Sequence, residues 1–378
     1  MAMQSEIGYG LRKGVVALLF LLACLPVFSQ PQPEPEREAC RRLDSLFQEM
    51  VRKKHFNGVM LVGDAEHVIY QRVSGLAYLN GRQRLHDRSQ FEIASVSKQF
   101  TAVSVLMLYE QGLLDLQDSL QRFFPNFPYK GITVWQLLCH RSGLPEYFDF
   151  ALDYWPDEKR PMDNADLLGI LERFHPDPES NPDTKFSYCN TGYALLALLV
   201  ERVSGMPFRD FLLRNIFEPL EMNDTRCYTE PCQIASLRTT GHRRNKSVYE
   251  RDALSGVLGD KGVMTTANDL YRWFFHIPCL IADSTLQKAW TAQHMDEDTC
   301  RNYGLGWRLS CDEQGRKLVY HGGLWNGNHT LMLYRPADQT FLLFLSNWCN
   351  GAFQHRSNSV LKIMDAMQAK KINTANVK

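Results

Sequence analysis

The chain has 378 residues, of which 44% are hydrophobic and 22% are charged, with 42 basic and 42 acidic side chains. This composition is that of a globular protein and excludes a wholly disordered, collagen-like or coiled-coil chain. Because the formal charge is zero and the aromatic residues are not interleaved with Lys and Arg, nothing in the sequence indicates a nucleic-acid partner.

The N-terminus has the features of an export signal. Arg12 and Lys13 precede an apolar run over 14–28, which is short for a membrane span and typical of a signal peptide. Small residues suit cleavage after Ser29, so we expect an exported protein, periplasmic or at the cell surface. Two alternatives stay open: an uncleaved anchor, and a membrane tether through a lipid on Cys24, whose preceding residues look like a bacterial lipobox.

Helical and strand patterns then alternate along the chain. A Pro-rich, extended spacer is predicted before an amphipathic helix over 41–54. Next come two predicted strands, at 58–62 and 67–73, and a long helix that starts at Ser95 and ends at Gly112. Helices separated by Pro-containing loops follow. The chain then has three predicted strands, at 318–321, 330–334 and 340–346, and a final helix at 353–367.

Early and late strands are readily joined in one sheet, with the helical section inserted between them. The sequence therefore predicts an α+β fold, with a mainly antiparallel β-sheet flanked by helices and an inserted, mainly helical domain. The expected divisions are a signal peptide at 1–29, a spacer at 30–39, an α/β domain at 40–94 and 256–370, a helical domain at 95–255 and a tail at 371–378.

Cysteine usage leaves the redox chemistry open. Nine cysteines follow Cys24, an odd number that cannot all pair within one chain. Cys227 and Cys232 are close enough for a small-loop disulfide, which export would permit. Zinc is the rival interpretation, but the sequence has no C-x-x-C pair or H-x-x-x-H companion, so we expect no metal site and no cofactor.

The strongest chemical signal is the Ser-x-x-Lys unit formed by Ser95 and Lys98 in the stretch FEIASVSK. Three residues is nearly one helical turn, so both side chains lie on one face. A serine hydroxyl becomes a good nucleophile when a neighbouring base takes its proton, and a helix start offers backbone N–H groups to a developing oxyanion. The motif recurs at Ser359 and Lys362 inside the final helix, where nothing suggests a pocket.

Two further polar motifs follow downstream. Tyr188 and Asn190 form a Y-x-N unit just before a helix, where a tyrosinate can act as a base and an amide can orient a substrate carbonyl. A second Y-x-N at Tyr78 is expected to be a strand end. Later, His321 and two glycines end a predicted strand, and the glycines would let a substrate backbone lie against its edge.

In the order Ser95/Lys98, Tyr188/Asn190, His321/Gly323, the sequence resembles the serine β-lactamase and penicillin-binding-protein superfamily. Within it, the chain is similar to the class C β-lactamase-related branch, which includes D-Ala-D-Ala carboxypeptidases, D-aminopeptidases and esterases. Three other stretches are similar to that branch's LLxHxSGLP, GGxxSTAxDL and YGLGW patterns, and they lie at 137–145, 262–270 and 303–307. The resemblance runs from about residue 40 to 365.

The resemblance implies a β-lactamase/transpeptidase-like fold with the active site between two domains. It implies that Ser95 is acylated with help from Lys98, and that Tyr188 shuttles the proton to the leaving group and then assists water. The oxyanion hole would be the N–H groups of Ser95 and Leu324, the residue after His321-Gly322-Gly323. Whether Lys98 or Tyr188 is the general base stays open.

The sequence departs from the β-lactamases at the third motif, where His321, Gly322 and Gly323 stand in place of K-T-G. A permanent ammonium favours substrates with a carboxylate, whereas a mostly neutral imidazole favours them less. We therefore expect small esters to be hydrolysed better than β-lactams at neutral pH, and protonation of His321 near pH 6 to recover part of the difference.

Two functions from different classes follow from this sequence. One is an exported serine hydrolase that acts through an acyl-enzyme on an ester, amide or β-lactam bond of a small-molecule or peptide substrate. The other is a non-catalytic sensor that binds cell-wall peptides or penicillin. A degenerate copy would be expected to lose the Lys or the Tyr, and both Lys98 and Tyr188 are present, so the hydrolase is favoured.

Overall fold

The computed structural model describes residues 33–53, 56–157, 160–229, 237–293, 302–351 and 353–376. The predicted signal peptide, Cys24 and Cys232 lie outside these residues, and so does the disulfide proposed for Cys227. Within the described ranges, no helix is both long and apolar enough to cross a bilayer.

A seven-stranded sheet forms the centre of the fold. Its strand order is β2-β1-β10-β9-β8-β7-β6, and every neighbouring pair is antiparallel. The strands are β1 (Gly58–Gly63), β2 (Val68–Ser74), β6 (Asn302–Tyr303), β7 (Arg308–Cys311), β8 (Lys317–Trp325), β9 (Asn328–Arg335) and β10 (Thr340–Ser346). The predicted α+β class and the joining of early and late strands in one sheet are confirmed.

The middle of the sheet is buried on both faces, which explains its sequence. β1 and β10 are buried at every residue, and both are continuous apolar runs rather than alternating ones, as expected for strands covered on two sides. One face packs against the first and last helices, α1 (Glu34–Arg52) and α10 (Ser357–Asn376). The other face joins the larger core that the helical section builds.

The first helix begins earlier than the sequence predicts. Residues 30–39 are expected to be an extended spacer, but among the described residues only Pro33 is outside the helix, which starts at Glu34. Pro35 lies in the first turn, where a missing N–H is tolerated because the first four helical N–H groups have no partner within the helix. The spacer prediction is therefore wrong from Glu34 onward.

The segment between β2 and β6 is mainly helical. Its helices are α2 (Lys98–Glu110), α3 (Val134–Leu138), α4 (Tyr147–Tyr154), α5 (Asn164–Phe174), α6 (Asn190–Ser204), α7 (Phe208–Leu212), α8 (Ala267–His276) and α9 (Asp283–Ala289). A small antiparallel sheet of order β3-β5-β4 lies among them, formed by β3 (Phe91–Glu92), β4 (Arg226–Cys227) and β5 (Val263–Thr265). The domain boundaries given above stay a prediction.

Strand β8 has an open edge where the site is built. β9 pairs with β8 along its length, from Val319 to Trp325, whereas β7 pairs with it only from Lys317 to Tyr320. The stretch from His321 to Trp325 therefore has one side that β7 does not cover. The turn that carries Ser95 packs against this stretch.

Candidate active site

Ser95 lies in a tight turn rather than in the first turn of an α-helix. Residues Ala94–Ser97 form a 3₁₀ helix, and α2 begins at Lys98. Ala94 has φ of 50°, in the left-handed region that a non-glycine residue rarely adopts. Such backbone strain is typical of functional sites, and here it brings Ser95 to the surface of a cavity of about 640 Å³.

Lys98 is fully buried, and the protein satisfies all three of its donors. Its Nζ donates to Ser95 Oγ at 3.2 Å, to Asn190 Oδ1 at 2.7 Å and to the backbone carbonyl of Asp260 at 3.0 Å. An ammonium has three N–H groups, so these three acceptors fix its position beside the serine. The structure thus places the predicted Ser-Lys pair in hydrogen-bond contact.

The Tyr-x-Asn unit meets the same lysine. Asn190 is the first residue of α6, and its backbone N–H and Nδ2 donate to Glu146 Oε2 at 2.7 and 3.0 Å, which turns its amide oxygen toward Lys98. Tyr188 lines the cavity, and its ring centroid lies 4.9 Å from Lys98 Nζ. The four predicted polar residues Ser95, Lys98, Tyr188 and Asn190 therefore lie together.

His140, which belongs to the LLxHxSGLP-like stretch, supports the ring of Tyr188. The two ring centroids are 4.2 Å apart. The Cys189 N–H donates to His140 Nδ1 at 3.1 Å, so the neutral imidazole carries its proton on Nε2. Burial, followed by the nearby charge of Lys98, holds the pKa of His140 well below its usual value. His140 is thus a neutral packing partner of Tyr188, a role that the sequence analysis did not assign.

His321 was expected to face the cavity, and it does not. It is completely buried and is not among the residues that line the cavity. Its Nδ1 donates to the Gly322 carbonyl at 2.7 Å, and its Nε2 accepts from the Tyr303 hydroxyl at 3.0 Å. Burial, followed by the charge of Arg308, holds the pKa of His321 well below its usual value. The expectation that it protonates near pH 6 therefore conflicts with its surroundings.

The three residues after His321 have different relations to the cavity and to the Ser95 turn. A Cβ at Gly323 would lie 2.2 Å from the Ile93 carbonyl oxygen, so the strand can approach the Ser95 turn only because this residue is glycine. A Cβ at Gly322 would meet only the Thr330 carbonyl, at 3.7 Å, so here the glycine keeps the cavity open. Leu324 is 58% exposed on the open edge of β8, next to the cavity.

Two cavity cations were missed in the sequence. Arg308 follows the YGLGW stretch directly, and its Cζ lies 4.7 Å from the centroid of the Tyr188 ring. Lys261 precedes the GGxxSTAxDL-like stretch, in the position where that pattern has its first glycine. Each residue adjoins a recognised motif, and this adjacency is the signal that could have found them.

The cavity continues beyond Arg308 over the face of the sheet that carries α10. Leu318 and Tyr320 of β8, Leu331 and Leu333 of β9, and Ser357 at the start of α10 line this part. The polar side chains of Ser310, His329 and Asn358 also line it, and Gly322 opens the way into it because no side chain blocks the strand there. The site is therefore a groove that extends well past the serine.

One group of potential metal ligands lies away from the groove. Asp64, Glu66 and His67 have ligand atoms within 4.8 Å of one another at the turn between β1 and β2. His67 Nε2 is already 2.5 Å from the buried Glu36 carboxylate. None of these residues lines the cavity.

Comparison with known proteins agrees with this geometry. A family model described as Beta-lactamase matches residues 43–362. The chain is 31% identical to penicillin-binding protein 4* of Bacillus subtilis over 326 residues, which are 81% of this chain and 71% of that protein. It is 28% identical to a D-aminopeptidase of Brucella anthropi over 285 residues, 71% of this chain but only 52% of that protein.

Solved structures share the fold. A penicillin-binding protein from Bacillus halodurans is similar with a TM-score of 0.72 and 25% identity, over 86% of this chain and 98% of that one. A D-amino acid amidase from Ochrobactrum anthropi SV3 is similar with a TM-score of 0.73 and 22% identity, over 89% and 99% of the two chains. The family resemblance and the β-lactamase/transpeptidase-like fold are confirmed.

Proposed function

Since this chain belongs to the beta-lactamase family and is a serine hydrolase of that type, we propose that Ser95 is its nucleophile and that its substrate is an amide or ester whose leaving group carries a carboxylate. The observation that supports Ser95 most strongly is its contact with Lys98. A fully buried ammonium 3.2 Å from a serine hydroxyl that lines a cavity is an arrangement with a clear chemical use.

The proposed reaction uses the groups around this pair. The Ser95 hydroxyl attacks the carbonyl carbon while its proton passes to the side-chain oxygen of Tyr188, with the Lys98 ammonium stabilising the negative charge of that oxygen beforehand. Tyr188 then delivers this proton to the departing group as the bond to the leaving group breaks. A water then attacks the acyl-enzyme and restores Ser95. The N–H groups of Ser95 and Leu324 stabilise the oxyanion, because the open edge of β8 lies against the Ser95 turn. Asn190 holds Lys98 in place and orients the substrate.

Arg308 supports a carboxylate on the leaving group. Its guanidinium lies over Tyr188, the residue proposed to protonate that group, and it lines the cavity. A guanidinium stays charged and binds carboxylates in a bidentate manner. The charge that the third motif lacks, because His321 replaces Lys, is thus supplied by the neighbouring strand β7. Arg141 is a poor alternative, since its Nε donates to Asp183 Oδ1 at 2.7 Å and it does not line the cavity.

The proposed substrate class is a peptide or depsipeptide related to D-Ala-D-Ala, with esters and β-lactams as smaller alternatives. The names of the two relatives, a penicillin-binding protein and a D-aminopeptidase, support this class. The length of the groove beyond Arg308 favours an extended leaving group over a compact one. Export to the periplasm or cell surface is part of the proposal, and fractionation of cells that express the full chain tests it.

The decisive experiment is a hydrolysis panel on the wild type and Ser95→Ala. The substrates are nitrocefin, p-nitrophenyl acetate and butyrate, and a D-Ala-D-Ala peptide, and a fluorophosphonate probe reports covalent labelling. We expect hydrolysis and labelling that both depend on Ser95. Tight binding of the peptide without turnover or labelling would instead identify the non-catalytic sensor. Hydrolysis that survives Ser95→Ala would refute the proposed nucleophile.

A further inference from the structure

We propose that the acyl side of the groove contains a subsite around Lys261 that takes acyl groups bearing a hydrogen-bond acceptor or carboxylate and disfavours acyl groups bearing a free ammonium. The inference rests on the proposed function, because it names the acyl group of the same reaction.

The two cavity cations lie on opposite sides of the nucleophile. Strand β8 passes the Ser95 turn at Gly323. At one end of the open edge, His321 contacts Tyr303, and Arg308 lies near both Tyr303 and Tyr188. At the other end, the ring of Trp325 lies 5.0 Å from Lys261 Nζ. Because Tyr188 serves the leaving group, the end with Lys261 receives the acyl group.

The cluster around Lys261 offers a donor to the cavity rather than an acceptor. Lys261 is buried, and its Nζ donates to the Tyr147 hydroxyl and, over longer distances, to Asp260 Oδ1 at 3.4 Å and Asp260 Oδ2 at 3.5 Å. The Tyr147 hydroxyl in turn donates to Asp260 Oδ2 at 3.1 Å. The carboxylate of Asp260 is thus occupied on both oxygens. The ammonium has three N–H groups, and because both of its contacts to Asp260 are long, it keeps donor capacity for a closer acceptor. A ligand that reaches this cluster meets an N–H donor.

An aromatic pair forms the wall beside this donor. The rings of Phe148 and Trp325 are stacked with centroids 5.0 Å apart and an interplanar angle of 11°. Lys261 Nζ lies 5.4 Å from the first ring and 5.0 Å from the second, and both residues line the cavity. An apolar or aromatic side chain can pack on this wall while a carbonyl or carboxylate of the same acyl group accepts from Lys261.

The charges on this side oppose a free amine. The carboxylates of Asp260 and Glu92 act on Lys261 electrostatically, but the first is bonded to Tyr147 and Lys261 and the second is paired with Arg251. Lys98, a second buried ammonium, also acts on Lys261. A protonated amine on the acyl group would be a third cation in the same partly enclosed space, where charges interact more strongly than in water. The GGxxSTAxDL pattern has glycine at the position of Lys261, so the fold itself does not require a lysine there. The lysine at this position therefore affects which acyl groups the enzyme accepts.

Three esters test the proposal because they differ only at the α-nitrogen. They are the methyl esters of D-phenylalanine, N-acetyl-D-phenylalanine and N-succinyl-D-phenylalanine, assayed at pH 6, where the free amine is protonated. Release of the acid is measured by chromatography, and active enzyme is counted by fluorophosphonate labelling. We expect kcat/KM to rise from the amine to the acetyl to the succinyl ester, with about a tenfold difference between the first and last.

Variants of Lys261 assign the preference to this residue. Lys261→Met should reduce the succinyl-to-amine ratio about tenfold, and Lys261→Arg should keep it above one. Because Lys261→Met leaves the Asp260 carboxylate without its ion pair, the double variant Asp260→Asn/Lys261→Met is measured in parallel and should show the same reduced ratio. Lys317→Met, which removes an exposed lysine of β8 that does not line the cavity, is the matched control and should leave the ratio unchanged.

The experiments distinguish a failure of the proposed function from a failure of the subsite around Lys261. If neither p-nitrophenyl acetate nor any methyl ester is hydrolysed in a Ser95-dependent way, the proposed function itself is wrong. If Ser95-dependent hydrolysis of p-nitrophenyl acetate is present but the free-amine ester is the best of the three, the acyl-side subsite is refuted. A succinyl preference that both the Lys261→Met and the double variant retain would also refute it.

Discussion

Two Ser-x-x-Lys units with the same spacing lie in opposite surroundings in this molecule. Lys98 is completely buried and donates to three protein acceptors, including Ser95. Lys362 has a side chain that is 60% exposed on α10 and forms an ion pair with Glu313 at 3.0 Å. Ser95 lies in a strained turn at the cavity, whereas Ser359 lies inside a regular helix and does not line the cavity.

The difference shows that the Ser-x-x-Lys spacing places the two side chains on one helix face but does not by itself make a catalytic pair. An exposed ammonium exchanges its partners with water, and an exposed ion pair contributes little because solvent screens it. A buried ammonium with three fixed acceptors has a defined position relative to the serine, which is what proton transfer needs. The same holds for the two Tyr-x-Asn units, since Tyr188 borders Lys98, whereas Tyr78 is 39% exposed and stacks on His242.

The largest expected effect separates the two serines. Ser95→Ala should lower kcat/KM by about 10³-fold or more, because the nucleophile is lost, while Ser359→Ala should leave it unchanged. Both variants should unfold at the temperature of the wild type within a few degrees. Hydrolysis of p-nitrophenyl acetate and mass spectrometry of the acyl-enzyme measure this, and an acyl group found on Ser359 would contradict the assignment.

The next effect concerns proton transfer. Lys98→Met and Tyr188→Phe should each reduce kcat by about 10²-fold or more, and Lys362→Met is the matched control with no expected change. Because both residues act on one proton path, the double variant should lose much less than the product of the two single factors. A loss equal to that product would show that Lys98 and Tyr188 act independently.

A smaller effect should appear at Arg308 and depend on the substrate. With one acyl group and two leaving groups, phenol and 3-carboxyphenol, Arg308→Met should reduce kcat/KM about tenfold for the carboxyphenyl ester and much less for the phenyl ester. Arg173 is the matched control, because its guanidinium also lies over an aromatic ring, that of Phe174, but outside the cavity. Equal losses for both esters would show that Arg308 only positions Tyr188.

The sequence predicts well what local pattern and chain order determine. The strands β1, β2, β8, β9 and β10 and the main helices follow from periodicity, whereas the short strands β3 to β7 were not predicted. The Ser95, Lys98, Tyr188 and Asn190 cluster follows from ordered motifs, and the structure brings these four residues together. The orientation of His321 does not follow from local pattern, and the adjacency of Arg308 and Lys261 to recognised motifs does not by itself show that they line the cavity. The surroundings of these side chains depend on the order of the strands in the sheet and on where each pairing ends. The pairing of β7 with β8, for example, ends at Tyr320.

The failure at His321 has the same origin. Its motif indicates a residue near substrate, but Tyr303, on the far side of β7, and Arg308 enclose it and remove it from solvent. The misplaced spacer has a local cause instead, because a proline in the first helical turn looks like a helix breaker when the start of the helix is not yet known.

The smallest effect is a pH dependence of stability that sharpens the difference between buried and exposed groups. In the folded protein, burial and then Arg308 hold the pKa of His321 well below its usual value, whereas in the unfolded chain it is about 6.5. As the pH falls below about 6.5, the unfolded chain therefore takes up a proton that the folded protein does not. The free energy of unfolding should decrease by up to about 1.4 kcal/mol per pH unit from this residue alone, until the pH reaches the folded pKa.

His321→Gln removes this contribution and keeps a side chain that can accept from Tyr303. Urea unfolding of both proteins at pH 7, 6 and 5 should give a shallower loss of stability in the variant, whatever the offset between the two at pH 7. His140→Asn should behave alike, since burial lowers the pKa of His140 as well. Parallel curves for wild type and His321→Gln would mean that His321 takes up its proton while folded, which would restore its expected role in binding carboxylates near pH 6.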